Sequence, residues 1–390
     1  MSERKLSRRL RDHSLAVNQR LTSAVDNSFD WLFRRDRLIK SGRTWFELVH
    51  DGDPMAVRYY ELPDEKDIEL VDGSRMDIER QQFAVPLVLV PPLGVTTETF
   101  DLMPQRSLVR YMVARGFKVY LIDWGRPNKA HSHFGLSDYA DDMFATALAK
   151  IRKHSGSEDL SLMGWCMGGL LCLLQQGLAQ DPRIRNIVTV ASPIDLRGGG
   201  IIAGVAQTLN APAQLVRKYS DFRMSLLKPS LTHSPGWLTT VTFKLTDPIG
   251  SVTTYWDLLT RMSDRAFVES HSTTSDYLNN MLLYPGGVVR EMAISIGVDN
   301  KLAAGKIEIG EKLAELDKIK SSLLAYAGET DVLVPPKIAE KIVDIVASKE
   351  KEFRVAPGGH MGVILGANAQ SAVWAQSADW LSLRSSVSAA

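Results

Sequence analysis

The chain has 390 residues, 45% of them hydrophobic and 23% charged, with a formal net charge of +1. Such a length suits one large catalytic core with an inserted cap, and near-neutrality removes any overall field that would recruit nucleic acid or an anionic membrane. The two cysteines, Cys166 and Cys172, exclude a disulfide framework and stand at no metal-ligand spacing, so both are expected as thiols in a reducing cytosol.

Residues 1–42 differ from the rest of the chain. Arg4, Lys5, Arg8, Arg9 and Arg11 precede Leu15, Leu21, Val25, Phe29, Trp31, Leu32 and Phe33, and then come Arg34, Arg35 and Arg37. This pattern predicts one or two amphipathic helices with basic ends, either packed on the core or forming a docking surface. It lacks the apolar centre of a signal peptide, and no run of about 18 apolar residues occurs anywhere, so a cytoplasmic protein with no transmembrane segment is expected.

From Arg43 the pattern turns to strands. Trp45 to His50 and Val57 to Leu62 read as two antiparallel leading strands, and Pro86 to Val90 as a buried strand ending in Pro91-Pro92-Leu93-Gly94. A helix over Ser107 to Arg115, stopped by Gly116, leads to a strand over Lys118 to Asp123. A long amphipathic helix over Leu136 to Lys153 precedes a strand at Leu160 to Met163, a helix at Met167 to Ala179 and a strand at Ile187 to Val190. This βαβ alternation predicts a mostly parallel sheet covered on both faces, an α/β fold.

Cys166 stands where the strand over Leu160 to Met163 gives way to a helix, in Gly164-Trp165-Cys166-Met167-Gly168. The Gly-x-nucleophile-x-Gly spacing marks a nucleophile elbow. The central residue sits in a strained strand-to-helix turn, and side chains two positions away on either side would collide with backbone. The same turn aims the N–H of Met167 at the nucleophile's surroundings, as half of an oxyanion hole. The other half is expected from a backbone N–H within Leu93 to Val95, taken at Gly94. A thiol in place of the usual serine points to acyl transfer from a thioester before ester or peptide hydrolysis. The bland alternative is a buried cysteine among incidental glycines.

Between about Arg197 and Ile319 the strand pattern lapses, and helices are expected at Ala206 to Tyr219, Val252 to Arg261, Ser275 to Leu283 and Glu311 to Leu316. Residues 197–319 are therefore read as a helical lid inserted into a core made of 43–196 and 320–390. Strands return at Ser322 to Ala327 and Glu352 to Ala356, each followed by a helix, Pro336 to Ala347 and Asn368 to Leu383. Past the first of these strands come Glu329 and Asp331; past the second, Gly358-Gly359-His360. The order Cys166, Asp331, His360 is the chain order of α/β-hydrolase triads, with His360 as general base and Asp331 orienting it, although Glu329 shares the loop. Asp123 is read as a structural residue bonding its turn, and His131 and His133 as unsuited to metal.

Taken together these residues resemble the polyhydroxyalkanoate synthases, particularly the short catalytic subunits of the two-component type. The resemblance runs from about Pro86 to Leu381. It rests on Pro91-Pro92 with Asp101-Leu102, Arg106-Ser107-Leu108-Val109-Arg110, Val119 through Gly125, the Cys166 elbow, Asp331 with Val334-Pro335-Pro336, and Gly358-Gly359-His360-Met361-Gly362. It implies an acyltransferase that polymerises (R)-3-hydroxyacyl-CoA to polyester with release of CoA. Cys166 would carry the chain, His360 would deprotonate it, and Asp331 would help activate the incoming 3-hydroxyl through His360. No metal or redox cofactor is implied; a second synthase subunit or a homodimer, and a polyester granule surface, are the implied partners. The chain departs from the family pattern at Val332, where histidine is usual, at Val95 for asparagine and at Glu98 for tyrosine. An acyl-CoA thioesterase or ester hydrolase is the alternative reading, and a non-catalytic granule scaffold a third.

Overall fold

A computed structural model of the chain describes residues 3–199, 204, 228–245 and 248–386. The chain enters through α1 (Glu3–Phe33), a single helix. An eight-stranded sheet comes next, made of β1 (Phe46–Asp51), β2 (Ala56–Tyr60), β3 (Leu87–Val90), β4 (Val119–Asp123), β5 (Leu160–Trp165), β6 (Ile184–Val190), β7 (Ser322–Gly328) and β8 (Lys351–Ala356). Spatial order is β1-β2-β4-β3-β5-β6-β7-β8. β1–β2 and β2–β4 pair antiparallel and every later pair is parallel.

The central strands carry apolar residues on both faces because both faces are covered. Every residue of β3, a continuous Leu/Val run, and of β5 is buried, as a doubly covered parallel sheet requires. Helices α2 (Leu108–Ala114), α3 (Phe144–Ser155) and α4 (Met167–Ala179) connect the strands. The helix expected over Leu136 to Lys153 forms, with one wide π-type turn at Asp138–Met143 leading into α3.

Over the C-terminal edge lie α5 (Gly236–Leu245), α6 (Pro248–Thr260), α7 (Arg265–Asn279) and α8 (Gly286–Glu291). The helix expected at Ala206 to Tyr219 lies outside the described residues. That expected at Ser275 to Leu283 is displaced: α7 begins ten residues earlier, where the Asp264 carboxylate caps it by accepting the N–H of Phe267 at 3.1 Å, and stops at Asn279. The helix expected at Glu311 to Leu316 is absent. Lys306–Ile309 and Lys312–Glu315 form a hairpin turned at Gly310, whose φ is +59°. Its first strand alternates exposed Lys306 and Glu308 with buried Ile307 and Ile309, and this period of two decides against a helix. The hairpin's apolar side joins the core beside α4.

The last connections are α9 (Pro336–Ile345) and α10 (Gln376–Ser382). α1 rests on the helices over the sheet edge. Asn27 donates to the carbonyl of Met262 at 2.8 Å, Arg265 pairs with Asp30 at 2.7 Å, and Trp31 packs against Leu38, Leu258 and Val268. Its other face leaves Leu21, Val25, Phe29, Leu32 and Phe33 exposed. Among the described residues no helix is long and apolar enough to cross a membrane.

Candidate active site

The elbow between β5 and α4 holds Cys166 at φ +52° and ψ −119°, a conformation that costs an L-residue energy and survives only where its surroundings enforce it. Main-chain hydrogen bonds supply that enforcement. The Cys166 N–H donates to Val190 at 2.7 Å, and its carbonyl accepts from the Ser192 hydroxyl at 2.9 Å and the Leu170 N–H at 3.2 Å. The flanking glycines have no room for a side chain: a Cβ on Gly164 would lie 2.4 Å from the Gly168 carbonyl carbon, and one on Gly168 would lie 2.0 Å from the carbonyl oxygen of Val90. Gly168→Ala should therefore push α4 off β3 and lower stability by about 1–3 kcal/mol, read as an earlier urea midpoint; an unchanged midpoint would contradict the close packing.

The loops after β7 and β8 bring the other two residues together. His360 Nδ1 donates to Asp331 Oδ2 at 2.7 Å, and both side chains are almost wholly enclosed, at 1% and 0% exposure. Asp331 Oδ1 accepts the N–H groups of Leu333 (2.9 Å) and Val334 (2.8 Å), so both carboxylate oxygens are used and the couple cannot rotate. Glu329 on the same loop is exposed, which separates the two carboxylates that share it. The carbonyl of His360 accepts the Trp165 indole N–H at 3.2 Å, tying the loop to the residue before the nucleophile.

Burial alone would drive the His360 pKa down. The charge on Cys166, hydrogen bonds to Asp331 and Cys166, and the charge of Asp331 outweigh it and raise the imidazole from 6.5 to about 10. The site therefore favours the imidazolium form of His360 beside the Cys166 sulfur. Cys172, one turn and a half along α4, is fully buried, and burial raises its thiol pKa, leaving it inert.

Met167 is the first residue of α4, where a backbone N–H has no acceptor within the helix. Gly94 has φ +81° and lies beneath the ring of Tyr284, and its carbonyl accepts the N–H of Leu282 at 2.8 Å. The segment between α7 and α8 is thus pinned on the loop after β3. Tyr284 and Tyr277 are the functional neighbours that sequence reasoning missed. Burial raises both phenols, and the charge on Cys166 raises them further; Tyr277 also hydrogen-bonds Thr99. No spacing signals them, because Tyr277 reaches the site from α7 and Tyr284 from the connection between α7 and α8. Ser192 is equally silent in the sequence. Asp123 accepts the N–H of Gly125 at 2.9 Å and pairs with Arg58, which is the structural role expected of it. Val332, next to Asp331, is exposed.

No group of metal-ligating side chains occurs among the described residues. A thiol in a strained elbow and an imidazole held by a buried carboxylate are the kinds of group acyl transfer uses.

Residues 87–234 match the family model for the alpha/beta hydrolase fold. With that sheet order and elbow, the chain belongs to the α/β-hydrolase superfamily. Within it, the chain is similar to proteins named poly(3-hydroxyalkanoate) polymerases. It is 26% identical over 350 residues to the poly(3-hydroxyalkanoate) polymerase subunit PhaC of Haloferax mediterranei, covering 89% of this chain and 65% of that one. It is 25% identical over 303 residues to the protein of that name from Allochromatium vinosum, covering 77% and 81%, and 24% identical over 367 residues to that of Thiocystis violacea, covering 93% and 95%. The chain thus spans about two thirds of the haloarchaeal relative's length.

Proposed function

We propose that the protein is an acyltransferase that polymerises (R)-3-hydroxyacyl-CoA into polyester and releases CoA. The observation that carries this reading is a cysteine, not a serine, in the strained elbow beside a buried His360–Asp331 couple, in a chain whose relatives are named poly(3-hydroxyalkanoate) polymerases. The Cys166 thiolate attacks the thioester carbonyl, and the N–H groups of Met167 and Gly94 receive the oxyanion. Collapse expels CoA thiolate, which takes the imidazolium proton of His360. Neutral His360 then accepts the proton of the 3-hydroxyl of a second hydroxyacyl-CoA, whose oxygen attacks the acyl-cysteine; the S–acyl bond breaks, the Cys166 thiolate leaves beside the imidazolium, and the extended acyl-CoA re-acylates Cys166 with loss of CoA, while Asp331 holds the imidazole in the required tautomer throughout. These steps draw on side chains and backbone alone and call for no metal or redox cofactor.

The relatives' designation as polymerase subunits supports a second synthase subunit as partner, and the exposed apolar face of α1 suits the surface of a polyester granule. Incubation with 3-hydroxybutyryl-CoA, with and without a candidate subunit, is expected to yield free CoA and insoluble polymer. CoA release accompanied only by free hydroxy acid would reassign the protein as a thioesterase, with Val95, Val332 and Glu98 the first positions to exchange.

A further inference from the structure

A cavity of about 460 Å³ lies between α6, α7, the turn at Leu102 to Arg106 and the loop just past His360. This is a size typical of small-molecule sites. Met361 and Gly362, directly after the proposed base, form one wall, and Leu278, adjacent to Tyr277, forms another. Two of its walls are therefore chain neighbours of site residues, His360 and Tyr277, while Cys166, His360 and Asp331 do not themselves line it.

Its polar lining is cationic. Arg106 is partly buried, burial pulls its pKa down with no counter-charge to oppose it, and its guanidinium has no hydrogen bond or ion pair to any described residue. His271 is 8% exposed, and its buried Nδ1 finds no partner. Lys244 adds a second positive charge, with its ammonium donating to Asn279 at 2.9 Å, and Asp257 brings the single carboxylate among the lining residues. A partly buried arginine without a partner among the described residues and an enclosed imidazole nitrogen without one are costly to the protein alone, and an anionic ligand relieves both. Arginine is also the side chain best matched to phosphate.

We infer that this cavity receives the phosphate-bearing arm of the CoA donor, with Arg106 as its anion anchor and His271 as a second donor. The inference rests on the acyl-CoA reading of the Cys166 site and adds where the donor's charge is recognised. Acyl groups without CoA would lack this anchor, so specificity for the CoA thioester over a neutral thioester would come from the cavity rather than from the triad.

Two measurements test it. Calorimetric titration of CoA into the Cys166→Ala protein should show binding that weakens about tenfold in Cys166→Ala/Arg106→Gln, with Arg106→Lys retaining part of it. In protein with Cys166 intact, Arg106→Gln should lower the preference for 3-hydroxybutyryl-CoA over the matching N-acetylcysteamine thioester about tenfold in kcat/KM. Equal CoA affinity with and without Arg106, no CoA binding to the parent, or equal losses for both thioesters would overturn the subsite whatever Cys166 does. Weakened CoA binding with no acylation of Cys166 by either thioester would leave the subsite standing and remove the acyltransferase reading instead.

Discussion

Cys166→Ala is expected to lose all turnover and all covalent labelling by acyl-CoA, while retaining the fold. Alanine accepts the elbow no worse than cysteine does, since the strain at φ +52° is a backbone property shared by both, and the bonds to Val190, Ser192 and Leu170 are made by main-chain atoms of residue 166. Cys166→Ser should keep a small remnant: the hydroxyl occupies the same place but is far less acidic than a thiol, whose free pKa is about 8.5. Because Cys172 is buried and inert, a thiol-directed reagent should label the parent protein once and the Cys166→Ala variant not at all. Rapid modification of Cys172 in that variant, or normal turnover in it, would remove Cys166 from the reaction.

His360→Ala should cost about 10³–10⁴-fold in turnover, the scale on which acid–base groups of catalytic triads act. It should also change the pH profile. Without the imidazole to take the thiol's proton, residual activity should depend on hydroxide and climb with pH across the neutral range more steeply than that of the parent. The folded-state pKa of His360, about 10, exceeds the usual 6.5, so the stability it contributes is fully present below 6.5 and is lost as pH rises through about 10. Burial opposes this shift, and the charge on Cys166 is the largest contribution raising the value. Cys166→Ala should therefore lower the titration midpoint of His360, observable by NMR of the imidazole C–H, and move the alkaline loss of stability to lower pH. An unchanged midpoint would mean that the two groups are not coupled.

The elbow is legible in the sequence because its constraint is local. Gly164 and Gly168 are demanded by contacts within a few residues and with the neighbouring strand, so the motif announces itself. β3 is legible because an unbroken apolar run of strand length, bounded by Pro86 and Pro91, suits the middle of a doubly covered sheet and little else, and β5 and β7 because mainly apolar runs end at a glycine-bearing turn. Whether Glu329 or Asp331 faces His360 is a tertiary question. The answer lies in the backbone N–H groups of Leu333 and Val334, which turn one carboxylate inward, and no residue pattern encodes that bond. The helices over the sheet edge are read less well. Asp264 is a usable cap signal outweighed by the apolar spacing downstream, and the alternation of Lys306 to Ile309 is too short a sample to outweigh a neighbouring helical pattern. Tyr277, Tyr284 and the lining of the Arg106 cavity depend on how separate segments fold over the site, so they become visible only once the chain is assembled.

The most direct test of the acyltransferase reading is intact-protein mass spectrometry after brief mixing with 3-hydroxybutyryl-CoA, with peptide mapping of the product. The expected result is an adduct on Cys166 that grows by whole hydroxybutyryl units as CoA is released. A single adduct that decays to free acid without growing, or an adduct mapped to any other residue, would contradict it.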